Sequence, residues 1–214
     1  MGTAGVVGVP ETPVGGRVPL LLHACCGPCS LEPVRLLREE GFEPTILWTN
    51  PNIQPLSEHD RRLSTLTTWA REAAQVDVIM AGDDRAAWER VAGPAGFDRR
   101  RRCRACYALR LAELCRVAVE RGFTHVSTTL VVSPYQLFDD CGEILARLAV
   151  AHDLTAVWRD FRSYYPCATQ RARELGMYRQ CYCGCRFSAA EAALERHEAR
   201  DERKRSKAAA RAEA

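Results

Sequence analysis

A chain of 214 residues, 47% hydrophobic and 27% charged, has the make-up of one ordinary globular domain with appendages. Its net charge of +3 and pI near 8.3 favour polyanions only mildly, and no segment approaches the ~18 uninterrupted apolar residues of a membrane span. Residues 1–17 lack the basic start and apolar stretch of a secretion signal. The chain is therefore expected in the cytoplasm, where structural disulfides are rare, and its 11 cysteines call for metal or catalytic chemistry.

In chain order, residues 1–17 carry no periodicity and read as a flexible leader. The apolar run Val18–Ala24 predicts a buried strand, and Ser30 is suited to cap a helix over about Leu31–Glu40, stopped at Gly41. Thr45–Trp48 predicts a second strand leading into the polar loop Thr49-Asn50-Pro51-Asn52. Ser57 opens a helix to about Ala74, Val76–Met80 reads as a third strand, and Ala86–Val91 as a short helix ended by Gly93-Pro94-Ala95-Gly96. After an arginine-rich loop, a helix is predicted from about Arg104 to Arg121, closed by Gly122. Thr124–Leu130 reads as strand four, Leu137–Ala151 as a helix and Thr155–Trp158 as strand five. From Ser188 the chain is rich in Ala, Glu and Arg, a helix former with little to bury.

Strand–helix alternation at this spacing predicts right-handed βαβ units and a mainly parallel five-stranded sheet flanked by helices. The organisation expected is a leader (1–17), a single α/β domain (18–187) and a basic helical tail (188–214). In such folds the active site lies outside the carboxyl ends of the strands, which is where the first strand delivers His23-Ala24-Cys25-Cys26-Gly27-Pro28-Cys29.

The cysteines fall into three groups. Cys25, Cys26 and Cys29 sit before a helix N-terminus, which favours thiolate, the nucleophile and metal ligand. Three thiols in five positions exceed what packing requires. Cys103-x-x-Cys106 follows Arg99, Arg100, Arg101 and Arg102, whose charges also favour thiolate. Cys181-Tyr182-Cys183-Gly184-Cys185 holds a C-G-C unit able to ligate a metal or close a strained, reactive disulfide. Cys115, among Leu111, Leu114 and Ala118, reads as a core thiol; Cys141 and Cys167 have no informative spacing.

Four thiolates from separate segments suit either zinc or an iron–sulfur cluster. A radical S-adenosylmethionine run of C-x-x-x-C-x-x-C fails because position 32 is Glu. Cys26-Gly27-Pro28-Cys29 alone spells a thiol–disulfide oxidoreductase, a reading that leaves the other groups idle. A third reading is a zinc-stabilised RNA-binding module, motivated by the arginines at 99–102 with Arg104 and by Arg200–Lys207. Tyr107, Tyr182 and Trp48 are candidates to stack a flipped base, and equally to pack in the core.

Taken together, His23-Ala24-Cys25-Cys26-Gly27-Pro28-Cys29, Asn50-Pro51-Asn52-Ile53, Arg102-Cys103-Arg104-Ala105-Cys106-Tyr107 with Arg110-Leu111, Thr128-Thr129-Leu130 with Ser133-Pro134, Asp160-Phe161-Arg162, and Tyr178-Arg179-Gln180 with Tyr182-Cys183-Gly184-Cys185 occur in one order. This ordered set resembles the QueH-type epoxyqueuosine reductases over about residues 18–187. The resemblance implies an adenine-nucleotide α-hydrolase-like (HUP, Rossmann-like) sandwich. It also implies a cobalamin-independent oxidoreductase that reduces epoxyqueuosine at the wobble position of tRNA to queuosine, leaving an alkene and water. By motif it implies Cys25, Cys26, Cys103 and Cys106 as ligands of a 4Fe-4S cluster and Cys183 with Cys185 as a redox-active pair. Cys29 is then the candidate for a second iron or other metal ion beside the cluster. Asp160 or a nearby tyrosine is the candidate proton donor, and Arg101, Arg102, Arg104, Tyr107 and Arg110 the candidate tRNA contacts. The partners implied are tRNA carrying epoxyqueuosine and an electron donor, with no membrane.

Overall fold

The computed structural model describes residues 16–212. The expected leader, 1–17, lies outside these residues apart from Gly16 and Arg17. Five strands, β1 (Val18–Ala24), β2 (Phe42–Trp48), β3 (Val78–Met80), β4 (His125–Thr128) and β5 (Thr155–Ala156), form one sheet in the order β3-β2-β1-β4-β5. Every pairing is parallel, with Val18 opposite Phe42 and Leu20 opposite His125. The helices are α1 (Gly27–Glu39), α2 (Leu56–Trp69), α3 (Arg85–Val91), α4 (Arg99–Arg121), α5 (Phe138–Ala151), α6 (Tyr165–Glu174) and α7 (Arg186–Ala212).

β1 is apolar almost throughout because both of its faces are covered. Leu20, Leu22 and Ala24 pack with Ile46 and Trp48 against α1, α2 and α6, while Leu21 and Leu47 face Leu111, Leu114 and Leu145 of α4 and α5. The alternation is the period of two expected of a strand. From β1 the chain proceeds to β2 and β3 on one side and later to β4 and β5 on the other. The sheet thus has its topological switch point between the carboxyl ends of β1 and β4, where open α/β sheets bind ligands. This is the Rossmann-like sandwich the sequence implies. Among the described residues no helix is long and apolar enough to cross a membrane.

Several boundaries differ from expectation for identifiable reasons. α1 starts at Gly27, not Leu31, because Pro28 is pre-set for a first helical turn. Ser30 lies inside that helix, its hydroxyl donating to the Cys26 carbonyl at 2.9 Å, and Cys26 is the N-cap. β2 extends back to Phe42 because parallel pairing with β1 carries the strand through Pro44. The helix expected to reach Ala74 widens to a π turn over Ala70–Ala74 and ends at Gln75, whose φ is 50°.

The expected arginine-rich loop is the first turn of α4. Asp98 caps it, accepting from the Arg101 N–H at 3.1 Å. Cys103 and Cys106 therefore lie inside the helix rather than at its start. Helix α6 has no counterpart among the predicted elements. It buries only Ala168 and Ala172, one turn apart, too thin a stripe to read as amphipathic. Helix α7 begins at Arg186, and its first turns are rooted in the domain by Phe187, packed with Trp88 and Cys106, and by Glu191, which takes Arg102 at 2.8 Å. Replacing Asp98 by Ala is expected to remove the α4 cap at a cost of about 1 kcal/mol, seen as a lower urea midpoint with an unchanged m value.

Candidate functional site

At the end of β1 the chain turns directly into α1, and this junction gathers three thiols. The sulfur atoms of Cys25, Cys26 and Cys29 lie within 4.8 Å of one another, the one such set of three potential metal ligands among the described residues. Cys26 and Cys29 are buried and Cys25 half-buried. Hydrogen bonds from the Cys26 and Cys29 thiols hold Cys25 well below the ordinary thiol range. The reciprocal interaction with Cys25 pushes Cys26 up to about 12 and Cys29 well above its usual value. The triad thus concentrates its negative charge on Cys25. A thioredoxin-type dithiol instead lowers the first cysteine of its C-x-x-C pair, which here is Cys26. Gln180 donates to the Cys26 sulfur at 3.0 Å, and its own Oε1 is buried without a partner.

A second group is formed by Cys103 and Cys106 on α4 with Cys183 and Cys185 between α6 and α7. Their charges act on one another, and burial raises Cys103 to about 11 and raises Cys106 and Cys183 as well. All 11 cysteines are free. The Cys183 thiol points to Gln136 Oε1 at 3.8 Å, which also accepts from the Tyr107 hydroxyl at 2.8 Å. Cys185 contacts Ser188 at 3.4 Å.

The segment carrying Cys181, Cys183 and Cys185 is clamped onto α2 and the loop after β2. Arg62, fully buried, pairs with Glu58 at 2.7 Å and donates to the carbonyls of Cys183 at 2.8 Å and Tyr182 at 3.1 Å. Tyr178 donates to the same Glu58 at 2.6 Å, and Tyr182 to the Gln54 carbonyl at 2.6 Å. Gly184 has φ of 148°, and a Cβ there would meet Asn52 Nδ2 at 2.9 Å and Ile53 at 3.0 Å, so only glycine lets this loop approach. The signal for the clamp is present in the sequence as Glu58 and Arg62 at i,i+4 spacing, but on a helix such pairs are ordinarily solvent-exposed.

Between the two sulfur groups stands Arg110. It donates to Asn50 Oδ1, its Nη1 lies 4.0 Å from the Cys106 sulfur, and its charge acts on Cys25, Cys106 and Cys183. Asn50 is fixed in turn by donating to the Ala24 carbonyl at 2.9 Å and by the Asp83 carboxylate on its backbone N–H. Burial lowers His23 to about 3, so its ring is neutral, bridging Thr128 Oγ1 at 3.0 Å and the Thr49 carbonyl at 3.3 Å.

The candidate tRNA contacts are distributed otherwise than the sequence suggests. Arg102, Tyr107 and Arg110 are each 1% exposed, and buried groups offer a polyanion no surface. Arg104 is tied to Asp140 and to Glu143 at 3.1 Å. Arg101 is exposed, as is Arg99, which donates to the Tyr135 carbonyl. Asp160 is exposed, salt-bridged to Arg162 at 2.6 Å, and held below the usual carboxylate range by that hydrogen bond. It is therefore an anion at neutral pH and a poor proton store.

Replacing Arg62 by Met leaves Glu58 without its counter-charge, with only the Tyr178 hydroxyl on it among the described residues, and frees the cysteine-bearing loop. A loss of roughly 3 kcal/mol is expected for a broken buried pair, and Cys183 should react faster with a thiol reagent under native conditions, read by labelling and peptide mapping.

Comparison with known proteins places this site in context. The family model described as "Epoxyqueuosine reductase QueH" matches residues 20–191. The protein of that name from Dehalococcoides mccartyi is 31% identical over 169 residues, covering 79% of this chain and 91% of that one. Its namesake from Staphylococcus epidermidis is 27% identical, covering 85% and 80%, and that from Histophilus somni 32% identical, covering 81% and 73%. A family match that spans the sheet, all three cysteine groups and the clamp that joins them means that this chain belongs to the QueH epoxyqueuosine reductase family.

Proposed function

We propose that this protein is an epoxyqueuosine reductase acting on tRNA. It removes the epoxide oxygen of epoxyqueuosine at the wobble position and leaves the alkene of queuosine and water, consuming two electrons and two protons, without cobalamin. The observation that carries the reading is the family match over residues 20–191, within which lie the thiols gathered at the switch point of the sheet.

The donor set fits a thiolate-bound metal centre. It consists of sulfur, it is largely buried, and its Cys106 lies 4.0 Å from the Arg110 guanidinium, which has no carboxylate partner among the described residues. A triad with all sulfurs within 4.8 Å can close on one ion at the ~2.3 Å typical of metal–thiolate bonds. A cluster spreads its ligands over several irons, and Cys103 and Cys106 are the thiols available across Arg110. In this reading Cys25, Cys26, Cys103 and Cys106 hold a 4Fe-4S cluster, and Cys29 serves a second iron or other metal ion next to it. When bound, such a centre supplies electrons singly and a Lewis-acidic iron towards the epoxide oxygen.

The chain's own residues perform the remaining tasks. Cys183 and Cys185 cycle between dithiol and disulfide, receiving electrons from a cellular donor, and the Arg62–Glu58 clamp fixes their loop through its backbone carbonyls. Neutral His23 holds Thr49 and Thr128 at the strand ends and adds no charge to the site. Tyr135 is 69% exposed, and its neighbour Gln136 contacts both Tyr107 and Cys183. With Arg99 and Arg101 exposed nearby on α4, Tyr135 is the ring we assign to stack on an unpaired base of the tRNA loop.

Anaerobically reconstituted protein is expected to bind iron and sulfide and to convert epoxyqueuosine-tRNA, and Cys103→Ala to lose iron and activity together. A colourless, zinc-only protein without turnover would overturn the reading. Tyr135→Ala should raise KM for tRNA about tenfold, given roughly 1–3 kcal/mol per stacked base, with kcat nearly unchanged and Tyr135→Phe close to wild type.

A further inference from the structure

Among the described residues three arginines are fully buried: Arg62, Arg102 and Arg110, each 1% exposed. Two have an obvious reason to be there. Glu58 neutralises Arg62 at 2.7 Å, and Glu191 neutralises Arg102 at 2.8 Å. Arg110 has no carboxylate partner among the described residues. Its neighbours are the neutral amide of Asn50 and the sulfur of Cys106 at 4.0 Å, and its Nε is buried with no partner at all.

A buried charge must be matched or discharged, and guanidinium does not discharge, because it stays protonated in proteins. The groups within reach to match it are sulfur: Cys106 of α4 lies 4.0 Å from Nη1, and Asn50 of the loop after β2, which accepts from Nη2, is anchored on the Ala24 carbonyl at the β1–α1 junction, one residue before Cys25. Three chain segments that share no sequence neighbourhood thus converge on one fixed positive charge.

We propose that Arg110 is the built-in counter-charge of the sulfur site, a positioning residue that makes the two cysteine groups into one anionic centre. The proposal rests on the reading of these cysteines as metal ligands, and it adds a requirement that reading does not contain. A fixed cation here favours every step that puts negative charge on sulfur. Uptake of a divalent metal by three or more cysteines needs each as a thiolate, releases a proton from every one still protonated and leaves a net anion, and reduction of a bound centre adds a further negative charge. Asn50 sets the aim of the guanidinium, since its Oδ1 accepts from Nη2 while its own amide is anchored on Ala24 O.

The test uses the metal-free full chain under anaerobic conditions, titrated with cobalt(II), whose thiolate charge-transfer absorption reports binding to sulfur without any turnover. Arg110→Gln is expected to weaken cobalt binding at least tenfold, while Arg110→Lys, which keeps the charge, stays within a few-fold of wild type. In iron-reconstituted protein, Arg110→Gln should also move the midpoint potential to a more negative value. Should Arg110→Gln fail to fold, Asn50→Asp sets a carboxylate against the guanidinium without removing it and is expected to weaken cobalt binding in the same sense. Wild-type affinity in Arg110→Gln, or in Asn50→Asp where that variant replaces it, would overturn the proposal while leaving the metal reading intact. A loss in Arg110→Lys as large as in Arg110→Gln would overturn it too, because shape rather than charge would then be at work. A wild-type chain with no sulfur–cobalt absorption would overturn the metal reading and the proposal with it.

Discussion

β1 is paired on both edges and covered on both faces, and the position of its carboxyl end decides where the chemistry can be. Seven residues of strand register with β2 and four with β4 hold Ala24 against Trp48 and His23 against Thr128. The next residue, Cys25, has no freedom to wander, because Cys26 is already the N-cap of α1 and Pro28 fixes the first turn. A thiol triad placed in this way inherits the rigidity of the sheet rather than the mobility of a loop. It also lies where the first-turn N–H groups of α1 favour negative charge.

The second sulfur group is secured by a different physics. Cys103 and Cys106 ride on a long helix whose packing against the sheet is ordinary apolar burial, with Leu111, Leu114 and Ala118 in the core. Cys183 and Cys185 sit on irregular chain, where backbone carbonyls would otherwise point into the protein unpaired. Arg62 answers that need by donating to two consecutive carbonyls, and Glu58 answers the need created by Arg62. The loop is thus held by a polar network instead of by hydrophobic contact. Such a hold keeps the geometry of the loop independent of the state of its thiols, since the clamp bonds to backbone and not to sulfur.

The parallel five-stranded sheet and the placing of the first cysteine group at the end of β1 were legible in the sequence because strand–helix alternation and the position of a motif after an apolar strand are one-dimensional signals. Boundaries failed where a local rule had two readings. Arg99–Arg102 read as a loop because a charge run resembles one, yet Asp98 immediately before them is an N-cap signal that settles the question in favour of a helix. Helix α6 was invisible because it buries only two alanines. The site was legible to the extent that cysteines announce themselves, whereas the destinations of the arginines were not. Arg102 and Arg110 lie in the same run of residues as Arg101 and Arg104, and the helical periodicity that sends the first two inward is not written in their charge.

That division gives the two buried arginines of α4 contrasting meanings. Arg102 reaches Gly96 O at 2.6 Å and the Glu191 carboxylate, so its charge is matched within the protein and it serves to dock α7 on α4. Arg110, two turns further along the helix, meets only an amide and sulfur among the described residues. A fold selected for stability alone would gain by matching it with a carboxylate or replacing it with an apolar residue of similar volume. The retention of a cation that no carboxylate matches among the described residues makes sense when the site as a whole is meant to carry negative charge, because the thiolate and not the thiol is the form that binds a metal.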